Sequence, residues 1–179
     1  MLPSRHFRFC PACGAPAAAA AGVSPFICHQ CAFHYHFNAA VAAAVFVLRS
    51  DGQALFVRRA NDPARGRLAP PGGFVDIGEP VEAAARREVR EEVGLELADV
   101  TFLCSRPNEY HYKAVTYPVI DMFFVGHALD AHRARALDEV DGFVWIAPED
   151  VSPEEIAFPS MRSALAFWRE QRAAAGPRE

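Results

Sequence analysis

The chain has 179 residues, and its hydrophobic content of 51% and charged content of 22% are ordinary for a globular protein. This length suits one domain of about 140 residues with a small appendage. The formal net charge of −4 argues against nucleic-acid binding through a basic surface. The N-terminus lacks the apolar core of a signal peptide, and no apolar run approaches the roughly 18 residues of a membrane span. We therefore expect a cytoplasmic protein that binds neither nucleic acid nor membranes.

Four of the five cysteines form two Cys-x-x-Cys pairs near the N-terminus. Each pair presents two thiolates from one tight turn, and two such pairs at this separation are typical of a tetrahedral Zn²⁺ site. Disulfides are typical of exported proteins, and a redox pair needs a thioredoxin-like context that is missing here. The sequence therefore predicts a structural Zn²⁺ bound by Cys10, Cys13, Cys28 and Cys31.

Residues 1–37 are too few to fold around an apolar core, so metal binding is expected to supply their folding free energy. We predict a zinc ribbon over residues 1–37, which would stiffen the N-terminus or help to form a dimer or a substrate cleft. Asn38 marks the boundary to a second domain over residues 38–179.

The second domain begins with a nearly continuous apolar run from Ala39 to Leu48, which predicts a buried strand. Asp51-Gly52 is a hairpin turn signal, and the strand returns over Gln53–Arg58. A polar loop over residues 60–70 then leads to two adjacent glycines.

A helix is predicted from Glu79-Pro80 to Gly94, because proline is tolerated in a first helical turn and glycine favours a helix end. The remaining pattern predicts a mixed sheet between helices, an α/β fold. Its elements are strands over 97–105, 117–128 and 143–146, a polar aromatic loop over 106–113, and an amphipathic helix over 160–174.

Three carboxylates on the predicted helix, Glu88, Glu91 and Glu92, are spaced i, i+3 and i+4. They fall within an arc of roughly 100°, where like charges repel each other. An apolar stripe that includes Val89 and Val93 borders the acids, which argues against an ordinary solvated face. A hard divalent cation such as Mg²⁺ prefers carboxylate oxygens and leaves positions open for phosphate. The pattern therefore indicates a site that handles phosphates.

The glycines before this helix, Gly72 and Gly73, allow the backbone to turn sharply and to approach a ligand closely. A carbonyl of that turn would add an oxygen ligand to a metal held by the acids. One or more Mg²⁺ ions would then neutralise a diphosphate and position water for in-line attack, with a carboxylate or a metal-bound hydroxide taking the proton.

The stretch from Gly73 to Leu95 resembles the Nudix box at every defined position. The resemblance implies a Nudix α/β/α sandwich that hydrolyses a nucleoside diphosphate linked to another moiety, with Mg²⁺ or Mn²⁺ as cofactor. Residues are carried over by position. Glu91 and Glu92 match the main metal ligands, Glu88 a further ligand or the base, Gly73 a carbonyl ligand, Arg87 the arginine that orients the acids, and Glu79 its partner.

A zinc ribbon before a Nudix domain is similar to NADH pyrophosphatases, so ADP-ribose or NADH is an expected substrate. The chain lacks the Ser-Gln-Pro-Trp-Pro-Phe-Pro stretch of the NADH-cleaving group, and Tyr110 stands where many ADP-ribose pyrophosphatases have proline. Tyr110 and Tyr112 are candidates for stacking on a base or for covering apolar surface. Arg58, Arg59, Arg65 and Arg67 are candidates for binding phosphate, and of these we select Arg58. Glu139 matches an acid that relatives carry on a later loop, with Asp138 and Asp141 as competitors.

Two functions remain open. The first is a catalytic pyrophosphohydrolase acting on a small-molecule nucleotide, in which a homodimer is one option. The second is a non-catalytic Nudix-fold sensor that binds such a nucleotide and regulates a partner. Sensors often lose box acids, and this chain keeps all of them, which favours catalysis.

Overall fold

The computed structural model describes residues 1–17 and 25–175. It divides into two compact units, of which the first comprises Met1–Ala40 and Glu109–Val119 and the second Val41–Asn108 and Ile120–Glu179. The boundary expected at Asn38 lies close to the end of the first segment. The inclusion of residues 109–119 in the first unit was not predicted from sequence.

The first unit contains strands β1 (Phe26–Ile27) and β2 (His34–Tyr35), which pair antiparallel. The ring of Phe7 lies 5.6 Å from that of Phe26 and 5.3 Å from that of Tyr35, measured between centroids. Phe37 packs edge-on against Phe7 at 4.7 Å. A small aromatic cluster therefore accompanies the cysteine group in this unit.

In the part of the chain that the structure describes, the larger sheet has seven strands, and two α-helices accompany it. The strands are β3 (Ala40–Leu48), β4 (Ala54–Arg59), β5 (Leu68–Ala69), β6 (Gly72–Phe74), β7 (Thr101–Tyr112), β8 (Val115–His127) and β9 (Val140–Ile146), and the helices are α1 (Val81–Val93) and α2 (Pro159–Ala174). The strand order is β5-β4-β3-β8-β7, with β6 paired to β3 and β9 paired to β4. Among the described residues, no helix is long and apolar enough to cross a membrane.

The core of the second unit lies on both faces of this sheet. Phe46 of β3 stacks on Trp168 of α2, with ring centroids 4.6 Å apart. Val45 and Val47 are fully buried and point to the opposite face, because side chains alternate along a strand. Most pairings are antiparallel, and a parallel bridge joins Leu68 to residue 156. The predicted α/β fold with a mixed sheet is confirmed.

The predicted loop over residues 106–113 is wrong. Strand β7 continues to Tyr112 and β8 begins at Val115, so the two strands form a long hairpin that turns at Lys113, whose φ is +51°. Exposure alternates from Arg106 to Tyr110. A polar and aromatic strand can therefore extend without the apolar run on which the sequence assignment depended. The strand expected from Leu97 begins instead at Thr101.

Candidate active site

Helix α1 presents its acids beside the core. Proline at position 80 precedes the first turn, and Gly94 ends the helix in the left-handed conformation with φ of +68°. Its buried face comprises Ala84, Ala85, Val89 and Val93. The carboxylate of Glu88 is largely buried and that of Glu91 is half exposed, so the acids span the edge between core and solvent.

Gly72 and Gly73, expected from sequence to form a turn, instead lie in strand β6, directly against two of these acids. The Gly72 N–H donates a hydrogen bond to Glu92 Oε2 at 3.1 Å. A Cβ at Gly73 would lie 2.5 Å from Glu88 Oε1, and a Cβ at Gly72 would lie 2.2 Å from the Ala43 carbonyl oxygen. At Gly72 the clash is with backbone atoms, so only glycine fits, whereas a side chain at Gly73 would require the Glu88 carboxylate to move.

Arg87 forms hydrogen bonds with three acids and with strand β6. Its Nε and Nη2 donate to the two carboxylate oxygens of Glu79, each at 3.0 Å. Its Nη1 donates to Glu88 at 2.8 Å and to Glu91 at 3.0 Å, and Nη2 also donates to the Phe74 carbonyl. The hydrogen bonds from Arg87 lower the pKa of Glu79. This fork geometry is specific to the planar guanidinium.

Two acids of α1 hold protons more tightly than usual. Burial raises the pKa of Glu92 to about 8, and the negative charges of Glu88 and Glu139 add to the effect. Burial also raises the pKa of Glu88, against the opposing hydrogen bond from Arg87. Crowded, partly desolvated carboxylates of this kind are typical of functional sites.

Glu139 reaches the acids from a distant part of the chain. It precedes β9, and its charge raises the pKa of both Glu88 and Glu92. Arg59 at the end of β4 lies close enough to lower the pKa of Glu92. Arg58, the residue proposed from sequence, donates from Nη1 to the Gly66 carbonyl instead. Side chains alternate along a strand, so these adjacent arginines point to opposite faces of β4, and the sequence alone did not decide between them.

The acids fit a hard divalent cation in kind, since every ligand atom that they offer is an oxygen and desolvation raises the pKa of the buried Glu92 carboxyl to about 8. The Arg87 guanidinium bridges Glu88 and Glu91 in this structure. In residues 1–17 and 25–175, the cysteine group alone has three or more candidate ligand atoms within 4.8 Å of one another.

The cysteine group lies within the first unit. Sulfur atoms of Cys10 and Cys31 are 3.7 Å apart, and those of Cys13 and Cys28 are 3.6 Å apart. Four sulfurs bound tetrahedrally at about 2.3 Å from one ion would lie about 3.8 Å from one another. A hydrogen bond from the Cys31 backbone lowers the pKa of Cys28, whereas the pKa values of Cys13 and Cys31 are raised, in part by the neighbouring thiols. The four cysteines thus form a group able to hold a metal.

The two tyrosines predicted to bind substrate lie on β7, within the part of the hairpin that belongs to the first unit. Tyr112 is 47% exposed, and the Lys113 ammonium lies 5.1 Å from the centre of its ring. An exposed ring of this kind can stack on a base. The role of Tyr110 and Tyr112 stays a prediction.

Comparison with known proteins places residues 38–166 in the NUDIX domain family. The chain is 35% identical over 160 residues to the NAD-capped RNA hydrolase NudC of Pseudomonas aeruginosa, covering 89% of this chain and 53% of NudC. It is 33% identical over 160 residues to the mitochondrial NAD(P)H pyrophosphatase NUDT13 of Mus musculus, covering 82% of this chain and 45% of NUDT13. The chain therefore spans about half the length of these curated relatives.

A solved NUDIX hydrolase from Nitrosomonas europaea has the same fold. It superposes with a TM-score of 0.70 at 22% identity and covers 95% of this chain and 94% of its own. The family model spans most of the chain. It includes the two glycines of β6, Arg87 and the three acids of α1. This protein belongs to the NUDIX domain family.

Proposed function

We propose that this protein is a pyrophosphohydrolase, dependent on Mg²⁺ or Mn²⁺, that cleaves the diphosphate of a nucleoside diphosphate linked to another moiety. The observation that carries the proposal is the contact of the two glycines of β6 with α1. Gly72 binds Glu92, Gly73 lies against Glu88, and both acids have raised pKa values.

The cation would be held by Glu88, Glu91, Glu92 and the Gly73 carbonyl, and when bound it would offset the negative charge of the diphosphate and of the attacking oxygen. Arg87 holds Glu88 and Glu91 in place, and Glu79 holds Arg87. Glu139 and Glu88 are the candidate bases for the proton of the attacking water. Arg59 offers a positive charge beside Glu92 for a substrate phosphate.

The substrate proposal is a dinucleotide or nucleotide sugar such as NADH or ADP-ribose. Its support comes from two relatives, one a NAD(P)H pyrophosphatase and the other a NAD-capped RNA hydrolase. NAD(P)H and the NAD cap both contain a diphosphate attached to a nucleoside. A structural Zn²⁺ at the four cysteines completes the proposal, and its support is the spacing of the sulfur atoms. A cytoplasmic location and a homodimer stay predictions.

The test is a turnover screen of purified protein with Mg²⁺ or Mn²⁺ against ADP-ribose, NADH, NAD⁺, FAD, dinucleoside polyphosphates, dNTPs and NAD-capped RNA. Glu92→Gln should lower turnover at least about 10²-fold, because it removes a charge from the cation site. Glu96→Gln is the matched control, since Glu96 lies exposed and pairs with Arg90.

Full turnover by Glu92→Gln would refute the assignment of the metal site. Binding of ADP-ribose without hydrolysis by the wild type would instead support the non-catalytic sensor.

A further inference from the structure

The segment that carries Glu139 is fastened to the C-terminal end of α1. The Arg135 N–H donates to the Val93 carbonyl at 3.1 Å, and the Leu137 N–H donates to the Glu92 carbonyl at 2.9 Å. The last carbonyls of a helix have no partner within the helix, so they are free to accept such bonds. The side chain of Glu92 therefore lies among the acids of α1, while its backbone carbonyl binds the segment that carries Glu139.

The segment is fastened again at Glu139 itself, whose carbonyl accepts a hydrogen bond from the Ala60 N–H at 3.0 Å. Glu139 has a φ of +60°, a conformation that residues other than glycine rarely adopt. A bulge follows at once, because Arg58 pairs with Gly142 and Arg59 with residue 140, which leaves Asp141 unopposed. Strained backbone and bulges are found where a side chain must point in a particular direction.

The side chain of Leu137 lies over the end of the helix. Its Cδ1 is 3.3 Å from the position that a Cβ on Gly94 would occupy, so the absence of a side chain at Gly94 makes room for it. Leu137 is 43% exposed, which makes it a minor part of the core. An exposed leucine that sits on a glycine at a helix end, two residues before a functional acid, is well placed to fix that acid.

We propose, resting on the pyrophosphohydrolase function above, that Leu137 is a positioning residue that acts through Glu139. The Leu137 side chain packs on Gly94, and its N–H bonds to the Glu92 carbonyl, which together fix the segment against the end of α1. The left-handed turn at Glu139 then directs that carboxylate toward Glu88 and Glu92. Leu137 itself touches neither substrate nor cation.

A double-mutant cycle tests this role in turnover. Glu139→Gln should lower kcat about 10²-fold, the range of a lost general base. Leu137→Ala should lower kcat about 10-fold, since a small misplacement of a reacting group is costly, and KM should stay within about 2-fold. The double variant should be no slower than Glu139→Gln alone. A multiplied loss in the double variant, or an unchanged kcat in Leu137→Ala, would overturn the proposal.

Amide hydrogen exchange gives a second measurement that needs no turnover. The amides of Leu137 and Ala60 should be protected in the wild type, and Leu137→Ala should weaken that protection about 10-fold or more. The matched control is Leu129→Ala, an exposed leucine nearby in the chain whose N–H bonds to Glu96. Free exchange of both amides in the wild type would overturn the positioning role even if the enzyme is active. Protected amides in a protein that hydrolyses nothing would refute the proposed function alone.

Discussion

Replacing Gly73 with alanine tests how closely strand β6 must approach the acids. An alanine Cβ at this position would lie 2.5 Å from Glu88 Oε1, whereas ordinary contacts begin near 3.4 Å, so the carboxylate must move by about 0.9 Å. A misplacement of about 1 Å in a catalytic group lowers a rate about 10²-fold. This corresponds to about 2.7 kcal/mol of transition-state stabilisation.

Gly142→Ala is the matched control, because a Cβ there meets no atom within 4 Å and neither glycine has a left-handed φ. The assay is kcat with ADP-ribose or NADH and Mg²⁺, together with the melting temperature. Gly73→Ala should lose turnover while Gly142→Ala keeps it, and both should fold. Wild-type turnover by Gly73→Ala would show that Glu88 is not needed where the structure places it, and an equal loss in Gly142→Ala would assign the effect to β9.

Three further predictions follow from the charges and thiols. Burial raises the pKa of Glu92 from 4.5 to about 8, so its contribution to stability is full below about pH 4.5 and is lost as pH rises through 8. We expect the free energy of unfolding of the wild type to fall by a few kcal/mol relative to that of Glu92→Gln as the pH rises from 4.5 to 8. Denaturant unfolding in the presence of a chelator measures this difference. Arg87→Lys should lower kcat about 10-fold or more because the forked contacts are lost, whereas Arg90→Lys, in an exposed pair, should change it less than 2-fold. Cys28→Ser should remove one equivalent of bound zinc, measured by metal analysis, and unfold the first unit; retained zinc would contradict the site.

Local patterns were enough to predict the family and the fold class, and both predictions are confirmed. The spacing from Gly73 to Leu95 defines a turn and a helix whose geometry depends on neighbouring residues in sequence. The hairpin from Thr101 to His127 was predicted less well, because its outer half alternates polar and aromatic residues instead of presenting an apolar run.

The site divides in the same way. Arg87 and Glu79 are eight residues apart, and the sequence resemblance was enough to predict their ion pair, which the structure contains. The sequence could not decide whether Arg58 or Arg59 binds phosphate, because both are arginines at the end of one strand. Only the placement of β4 beside the acids distinguishes them.

The sequence by itself determined the chemistry: carboxylates at helical spacing, glycines that admit a close backbone, and thiols in two tight turns, all set by contacts within a few residues. The tertiary structure decided which remote groups meet that chemistry. Glu139 approaches Glu92 across 46 intervening positions, on a segment whose Leu137 N–H bonds to the Glu92 carbonyl and whose backbone turns left-handed at Glu139. Sheet register and packing determine such contacts between residues distant in sequence, and the local spacing of residues alone encodes neither.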